Sequence, residues 1–316
     1  MHTVYVDGQE GTTGLQIRER LAAHGGVRVL EIEPDRRKDT ARRRALINEA
    51  DLVFLCLPDA ASRESVALLD PANRSTRFID ASTAHRIAEG WVYGLPELRS
   101  GQRDAIRGSR RVAVTGCHAA GFVLALAPLV AAGLVPPDYP VTCHSLTGYS
   151  GGGRTMIAEY EAARDSRALD AARMYALGLA HKHLPEMRTY AGLLHAPLFV
   201  PIVDNFYQGM AVAVPLHLRL LAPGTTRAAL HAALAARYEG ERFVRVAPLD
   251  AESSTDRGFF DPLLANGTNR NDLFVFGNDD RALIVSRLDN LGKGASGAAV
   301  QCMNLMLGFD EAAALG

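Results

Sequence analysis

Between Thr3 and Val114 short apolar runs alternate with longer polar or amphipathic stretches. That alternation constrains the fold more than any other feature of the chain. Thr3–Val6, Val27–Ile32, Arg77–Asp80 and Arg111–Val114 read as buried strands. The run Asp51–Leu57 is apolar almost throughout, as a central parallel strand requires, and Pro58 ends it. Leu15–Ala23, Thr40–Glu49 and Ala60–Leu69 lie between these runs and read as helices. Strand–helix–strand alternation of this kind predicts an α/β domain of Rossmann type over residues 1–116.

After Gly116 the texture changes. An apolar helix is expected from about Cys117, with Pro128 ending or kinking it. Val141–Leu146, Phe199–Val203, Gly209–Arg219 and Ala282–Leu288 read as strands, and a polar helix is expected from about Thr155. A final helix, Gly294–Leu307, starts with small residues. The second part therefore reads as α+β with a mixed or antiparallel sheet.

Several classes are excluded at this level. The chain carries 34 Lys and Arg against 35 Asp and Glu, so it lacks the basic excess with which nucleic-acid binders displace counterions. The longest apolar stretch, Gly121–Val135, is 15 residues and contains Pro128, short of the roughly 20 that span a bilayer. The chain starts without a basic segment and cleavage site. Cys56, Cys117, Cys143 and Cys302 are scattered, with no CxxC, against a zinc site or disulfide framework. A cytoplasmic protein with reduced thiols is expected, with no nucleic-acid or membrane partner.

Five motifs carry candidate chemistry. Gly8, Gly11 and Gly14 follow the first strand and precede a helix. Glycines there admit a tight turn and let a pyrophosphate approach the backbone at a helix N-terminus, although an ordinary glycine turn fits the same residues. Glu31, Glu33 and Asp35 close the second strand, followed by Arg36, Arg37 and Lys38. Acids there bind a ribose hydroxyl, and a basic cluster accommodates a 2′-phosphate. The three cations favour NADP(H), a solvated loop being the plainer alternative. Cys117 lies where a strand gives way to a helix, a position that lowers a thiol's pKa and suits a nucleophile. His181 and His183 stand two apart before Pro185. In an irregular segment they read as a base for Cys117. HxH also admits a metal, but no third ligand is near in sequence and none is expected. Ser150-Gly-Gly-Gly-Arg154 is a candidate anion nest. Asn290, in the segment Asp289–Gln301, is placed to hydrogen-bond a carboxamide. A dinucleotide fold with an activated thiol points to hydride transfer between aldehyde and acyl levels, and the nest makes the acyl donor an acyl phosphate.

Longer segments carry a resemblance: DGQEGTTGLQI from Asp7, LCLPDAA from Leu55, DASTAHR from Asp80, WVYGLPEL from Trp91, GC at Gly116, GYSGGGR from Gly148, LAHKHLPEM from Leu179, NGTNR from Asn266 and LDNLGKGASGAAVQ from Leu288. Together they resemble the N-acetyl-γ-glutamyl-phosphate reductases, in their shorter type 2 branch, within the wider semialdehyde dehydrogenase superfamily. Where that family commonly reads NPGCYPT, this chain reads Val114-Thr-Gly-Cys-His-Ala-Ala120.

The resemblance implies a catalytic and dimerisation domain over 117–289 and a segment, 290–316, returning to the nucleotide domain. It implies NADPH-dependent reduction of an acyl phosphate to a semialdehyde with phosphate release, in arginine biosynthesis, by a homodimer or homotetramer. Cys117 would be the nucleophile, with His183 and then His181 as acid/base and Glu186 orienting them. Arg86 and Arg154, with Ser150, would meet the substrate's anionic ends. Gly8, Gly11, Thr12, Thr13 and Gly14 would hold the pyrophosphate, with Asn290, Gly292 and Lys293 toward the nicotinamide. A semialdehyde dehydrogenase for aspartate or for a carrier-linked lysine precursor is the alternative enzyme. A catalytically silent NADP-sensing protein is the alternative from another class.

Overall fold

The computed structural model describes residues 1–249 and 255–315. Residues 250–254 and 316, inside the expected stretches 117–289 and 290–316, lie outside the described residues. The chain divides into two compact units. One comprises Met1–Gly116 with the chain from Ala295 onward, the other Cys117–Gly294.

The first unit runs β1 (His2–Asp7), α1 (Thr12–Ala22), β2 (Val27–Leu30), α2 (Thr40–Glu49), β3 (Leu52–Leu55), α3 (Asp59–Ala67), β4 (Arg77–Asp80), β5 (Val92–Gly94), α4 (Gln102–Gly108) and β6 (Arg111–Val114). All pairings in its sheet are parallel, in the order β2-β1-β3-β4-β6-β5. Successive side chains point to opposite faces of a strand, so Val4 and Val6 enter one apolar cluster with Leu52 and Phe54. Tyr5 enters another with Val53 and Leu55. Ile17, Leu21 and Ile106 of α1 and α4 cover the first face, Leu46 and Ile47 of α2 the second. Strand order reverses at β1 and β3, the switch point beyond whose carboxyl ends such sheets bind ligands.

The second unit runs α5 (Cys117–Ala131), β7 (Thr142–Gly148), α6 (Gly153–Ala162), β8 (Arg173–Met174), α7 (Leu184–Ala191), β9 (Leu198–Asp204), β10 (Met210–His217), α8 (Arg227–Tyr238), β11 (Val244–Val246), β12 (Asn271–Gly277) and β13 (Arg281–Leu288). Its sheet is mixed, ordered β11-β12-β13-β10-β7-β9-β8. The parallel pairs are β7 with β9 and β11 with β12. A π-helical turn, Gly292–Ser296, leads into α9 (Gly297–Leu307). In the first unit Ala298, Val300 and Met303 of α9 join the apolar cluster beneath α1 and α4.

Helix α5 is apolar on nearly every side and almost wholly buried, as an all-round apolar helix must be. Gly121 lets it approach the sheet, since a Cβ there would stand 2.7 Å from Val212 Cγ2. Pro128 was expected to end or kink the helix, yet α5 continues to Ala131. Proline cannot donate to the carbonyl four residues back. The Tyr238 hydroxyl of α8 donates to that carbonyl, Leu124 O, at 2.7 Å, so the buried acceptor keeps a partner. Elements not anticipated include β5, α4, α7, α8, β11 and β12. Most are short, and α8 is a half-exposed surface helix. Among the described residues no helix is long and apolar enough to cross a membrane.

Tyr238→Phe should lower stability by about 1–3 kcal/mol, the cost of an orphaned buried acceptor. The loss should shrink in a Pro128→Ala background, whose restored N–H can reach Leu124 O. Chemical-denaturation midpoints of the four proteins measure both effects.

Candidate active site

Cys117 is the first residue of α5 and half-buried, in the turn whose N–H groups have no helical partner and favour negative charge. Gly294 packs on it so closely that a Cβ at 294 would come within 2.7 Å of Cys117 Cβ. The other thiols differ. Cys143 and Cys302 are buried, and burial pushes the Cys56 and Cys143 thiols well above their usual range.

The residue after Cys117 turns inward. His118 is 3% exposed, with Nδ1 2.7 Å from Ser145 Oγ on β7 and Nε2 2.9 Å from the Tyr175 hydroxyl. Burial, reinforced by the positive charges of His181 and Lys182, lowers its pKa from 6.5 to about 3. It is therefore a neutral imidazole at pH 7. Burial, and secondarily the Cys117 charge, raises the Tyr175 pKa and keeps that phenol protonated.

His181 and His183 reach the same place from the segment before α7. His183 precedes the helix as its N-cap, with Pro185 in the first turn. Because the pair lies outside regular helix, the two rings can meet edge to face, 4.7 Å between centroids. The His183 N–H donates to His181 Nδ1 at 3.2 Å. His118 stands 5.6 Å from the His181 ring and 5.5 Å from the His183 ring. Phe199 on β9 meets His118 and His181 edge-on. Glu186, buried one turn into α7, places Oε1 4.0 Å from His183 Nε2. The expectation that HxH has no third imidazole nearby is corrected here: His118, remote in sequence, joins it.

Ser150 is buried, and its hydroxyl accepts from Asn290 Nδ2 at 2.9 Å. Asn290 Oδ1 accepts from Gly209 N at 2.8 Å. Both ends of that amide, expected toward a carboxamide, thus tether the glycine turn within this unit. Gly151, Gly152 and Arg154 beside it are exposed. Gly292 is hemmed in, since a Cβ there would lie 2.3 Å from Thr268 O. Lys293 is fully buried, with Nζ 5.6 Å above the Phe243 ring. Arg86, in the other unit, is also buried. Its Nε donates to Val114 O and one Nη to Ala81 O.

In the nucleotide unit the glycine loop lies at the switch point. Gly8 has φ +89°, and a Cβ there would fall 2.3 Å from Cys56 O at the end of β3. A Cβ on Gly14 would meet Gly8 O at 2.5 Å. Gly11 caps α1 without a side chain, and no acid occupies the first turn. Thr12 Oγ1 is buried there with no hydrogen-bond partner. Thr13 follows, half-buried. This open helix start with an orphaned hydroxyl fits a dinucleotide's phosphates. The charged loop is internally paired: Arg36 with Asp39, Arg37 with Glu10 at 3.1 Å, and Arg42 with Glu33. Glu10, a carboxylate inside the glycine loop, has its charge matched by Arg37.

Residues 26–108 match the semialdehyde dehydrogenase NAD binding domain, and residues 117–290 match the semialdehyde dehydrogenase dimerisation domain. The N-acetyl-gamma-glutamyl-phosphate reductase of Chelativorans sp. is 50% identical over 310 residues, 96% of this chain and 97% of that protein. The chain belongs to the N-acetyl-γ-glutamyl-phosphate reductase family. The reductase of Mesorhizobium japonicum is 49% identical, over 97% of this chain and 99% of its own. Among solved structures, aspartate semialdehyde dehydrogenase from Francisella tularensis is 15% identical with a TM-score of 0.72, covering 97% of this chain and 100% of that one. The Candida albicans enzyme, described with NADP, is 14% identical with a TM-score of 0.66, covering 98% and 99%. These distant likenesses establish the shared fold.

Two outcomes follow. Gly8→Ala should abolish measurable dinucleotide binding in a fluorescence titration, because its Cβ collides with backbone and its φ is strained. His118, with its folded pKa below its unfolded one, adds stability that is present above pH 6.5 and lost as pH falls toward 3. His118→Gln should flatten that loss, read from urea midpoints between pH 7 and pH 4 in EDTA-containing buffer.

Proposed function

We propose that the protein reduces N-acetyl-γ-glutamyl phosphate to N-acetylglutamate 5-semialdehyde with NADPH, releasing phosphate, through a thioester on Cys117. The observation that carries this reading is a half-exposed thiol at the start of α5, followed directly by His118, whose ring stands among those of His181 and His183, in a chain 50% identical to a protein of that name. N-acetyl specificity rests on the relatives' names, and NADP(H) on the basic loop at Arg36 and Arg37 and on the Candida albicans likeness.

Cys117 Sγ attacks the acyl carbon, the carbon–oxygen bond to phosphate breaks, and phosphate leaves with its electron pair. The unpartnered N–H groups of the first turn of α5 favour the thiolate before attack. Ser150, the glycines after it and Arg154 receive the departing anion. Arg154 is preferred to Arg86, whose guanidinium already serves main-chain carbonyls. NADPH, when bound, would supply the hydride to the thioester carbon, and His183 as acid would give the resulting oxyanion its proton, which makes the thiohemiacetal. His183, with His181 second, takes the thiohemiacetal's hydroxyl proton as the carbon–sulfur bond breaks and the aldehyde leaves. Glu186, with Oε1 4.0 Å from His183 Nε2, orients that ring. Gly8, Gly11, Thr12, Thr13 and Gly14 hold the pyrophosphate. Asn290 acts by fixing Ser150.

Residues 117–290 match a dimerisation domain, and a homodimer or homotetramer working in the cytoplasm suits this reading. Phosphate-dependent reduction of NADP with N-acetylglutamate semialdehyde tests the reaction. Cys117→Ser should lose at least about a thousandfold in kcat while still binding NADPH. Full activity in that variant, or faster turnover of aspartate semialdehyde, would overturn the proposal.

A further inference from the structure

His118, His181 and His183 form a cluster the proposed reaction does not need in full. One ring nitrogen from each lies within 4.8 Å of the others. Three imidazoles are the donor set that borderline cations such as Zn²⁺ and Co²⁺ take, commonly with an open fourth position. Tetrahedral zinc with Zn–N bonds of 2.0–2.1 Å holds its nitrogens roughly 3.3 Å apart. Closing this cluster therefore asks for shifts of about 1.5 Å or less. Two of the rings stand on non-helical backbone before α7, where side-chain rotation supplies such a shift.

The third ring is already prepared. His118 Nδ1 is held by Ser145 Oγ at 2.7 Å, the kind of outer hydrogen bond that orients a ligating histidine. Its Nε2 faces the Tyr175 hydroxyl at 2.9 Å, a neutral group that a cation can displace. Among charged neighbours Lys182 opposes a cation. Glu186 at 4.0 Å from His183 and the ionisable thiol of Cys117, the residue before His118, favour one.

We propose that His118, His181 and His183 constitute a reversible site for a borderline divalent transition-metal cation, whose occupancy ties up all three imidazoles. A bound cation holds their lone pairs and blocks proton transfer, so the site acts as a metal-sensitive brake. The brake rests on the proton-transfer role proposed for His183 and His181, whereas metal binding itself does not.

The test uses the full chain, stripped with chelator, without dinucleotide or substrate. Equilibrium dialysis should find one Zn²⁺ per chain with a dissociation constant below about 10 μM. Co²⁺ should give the visible absorption of a tetrahedral site. His118→Asn should weaken both metals at least about tenfold, and Ser145→Ala by about tenfold through loss of the outer hydrogen bond. His181→Ala, at a half-exposed loop position, is the second variant should His118→Asn fail to fold. Millimolar affinity overturns the proposal. So does binding unchanged in both histidine variants, or abolished by Cys117→Ser alone.

Discussion

The buried helix α5 is the constraint on which the candidate site depends. It is apolar on almost every side and packs on the mixed sheet through Gly121. Its first residue nevertheless stays half-exposed. A rigid helix carries partial positive charge at its start, and here that charge falls on Cys117. The next residue points inward, and Ser145 and Tyr175 lock its ring. One turn of helix thus gives adjacent side chains opposite environments, a half-exposed thiol outside and a neutral imidazole inside. The helix tolerates Pro128 because Tyr238 supplies the missing hydrogen-bond donor.

The same economy governs the glycine-rich segments. Gly8 and Gly14 pass so near other backbone atoms that a side chain cannot fit, and the start of α1 is left without acid or side-chain cap. In the second unit Gly292 and Gly294 lie as tightly against Thr268 and Cys117. The amide of Asn290 ties that segment to Ser150 and Gly209. In both units backbone density, more than side-chain chemistry, sets what can approach.

Charge at the site is handled by pairing. The arginines after β2 meet Asp39, Glu10 and Glu33, which leaves a loop of both signs instead of a bare basic patch. Glu186, buried in the first turn of α7, lies near His183. His118 has no carboxylate partner in its hydrogen bonds and stays neutral. One buried, neutral imidazole beside two that stand on irregular backbone makes a cluster of unlike members.

By itself the sequence determined the alternation of strand and helix in the nucleotide unit, the glycine loop after β1, Cys117 at a helix start and His181–His183 in an irregular segment. These follow from periodicity, breakers and local electrostatics, which act over a few residues. Tertiary structure alone decided that His118 joins the HxH pair, that Tyr175 and Ser145 hold it, that Asn290 ties Ser150, and that α5 outlasts its proline. Each of those facts joins positions far apart in the chain. No local pattern encodes such a meeting, since it exists only once the sheet has brought β7, β9 and the segment before α7 together.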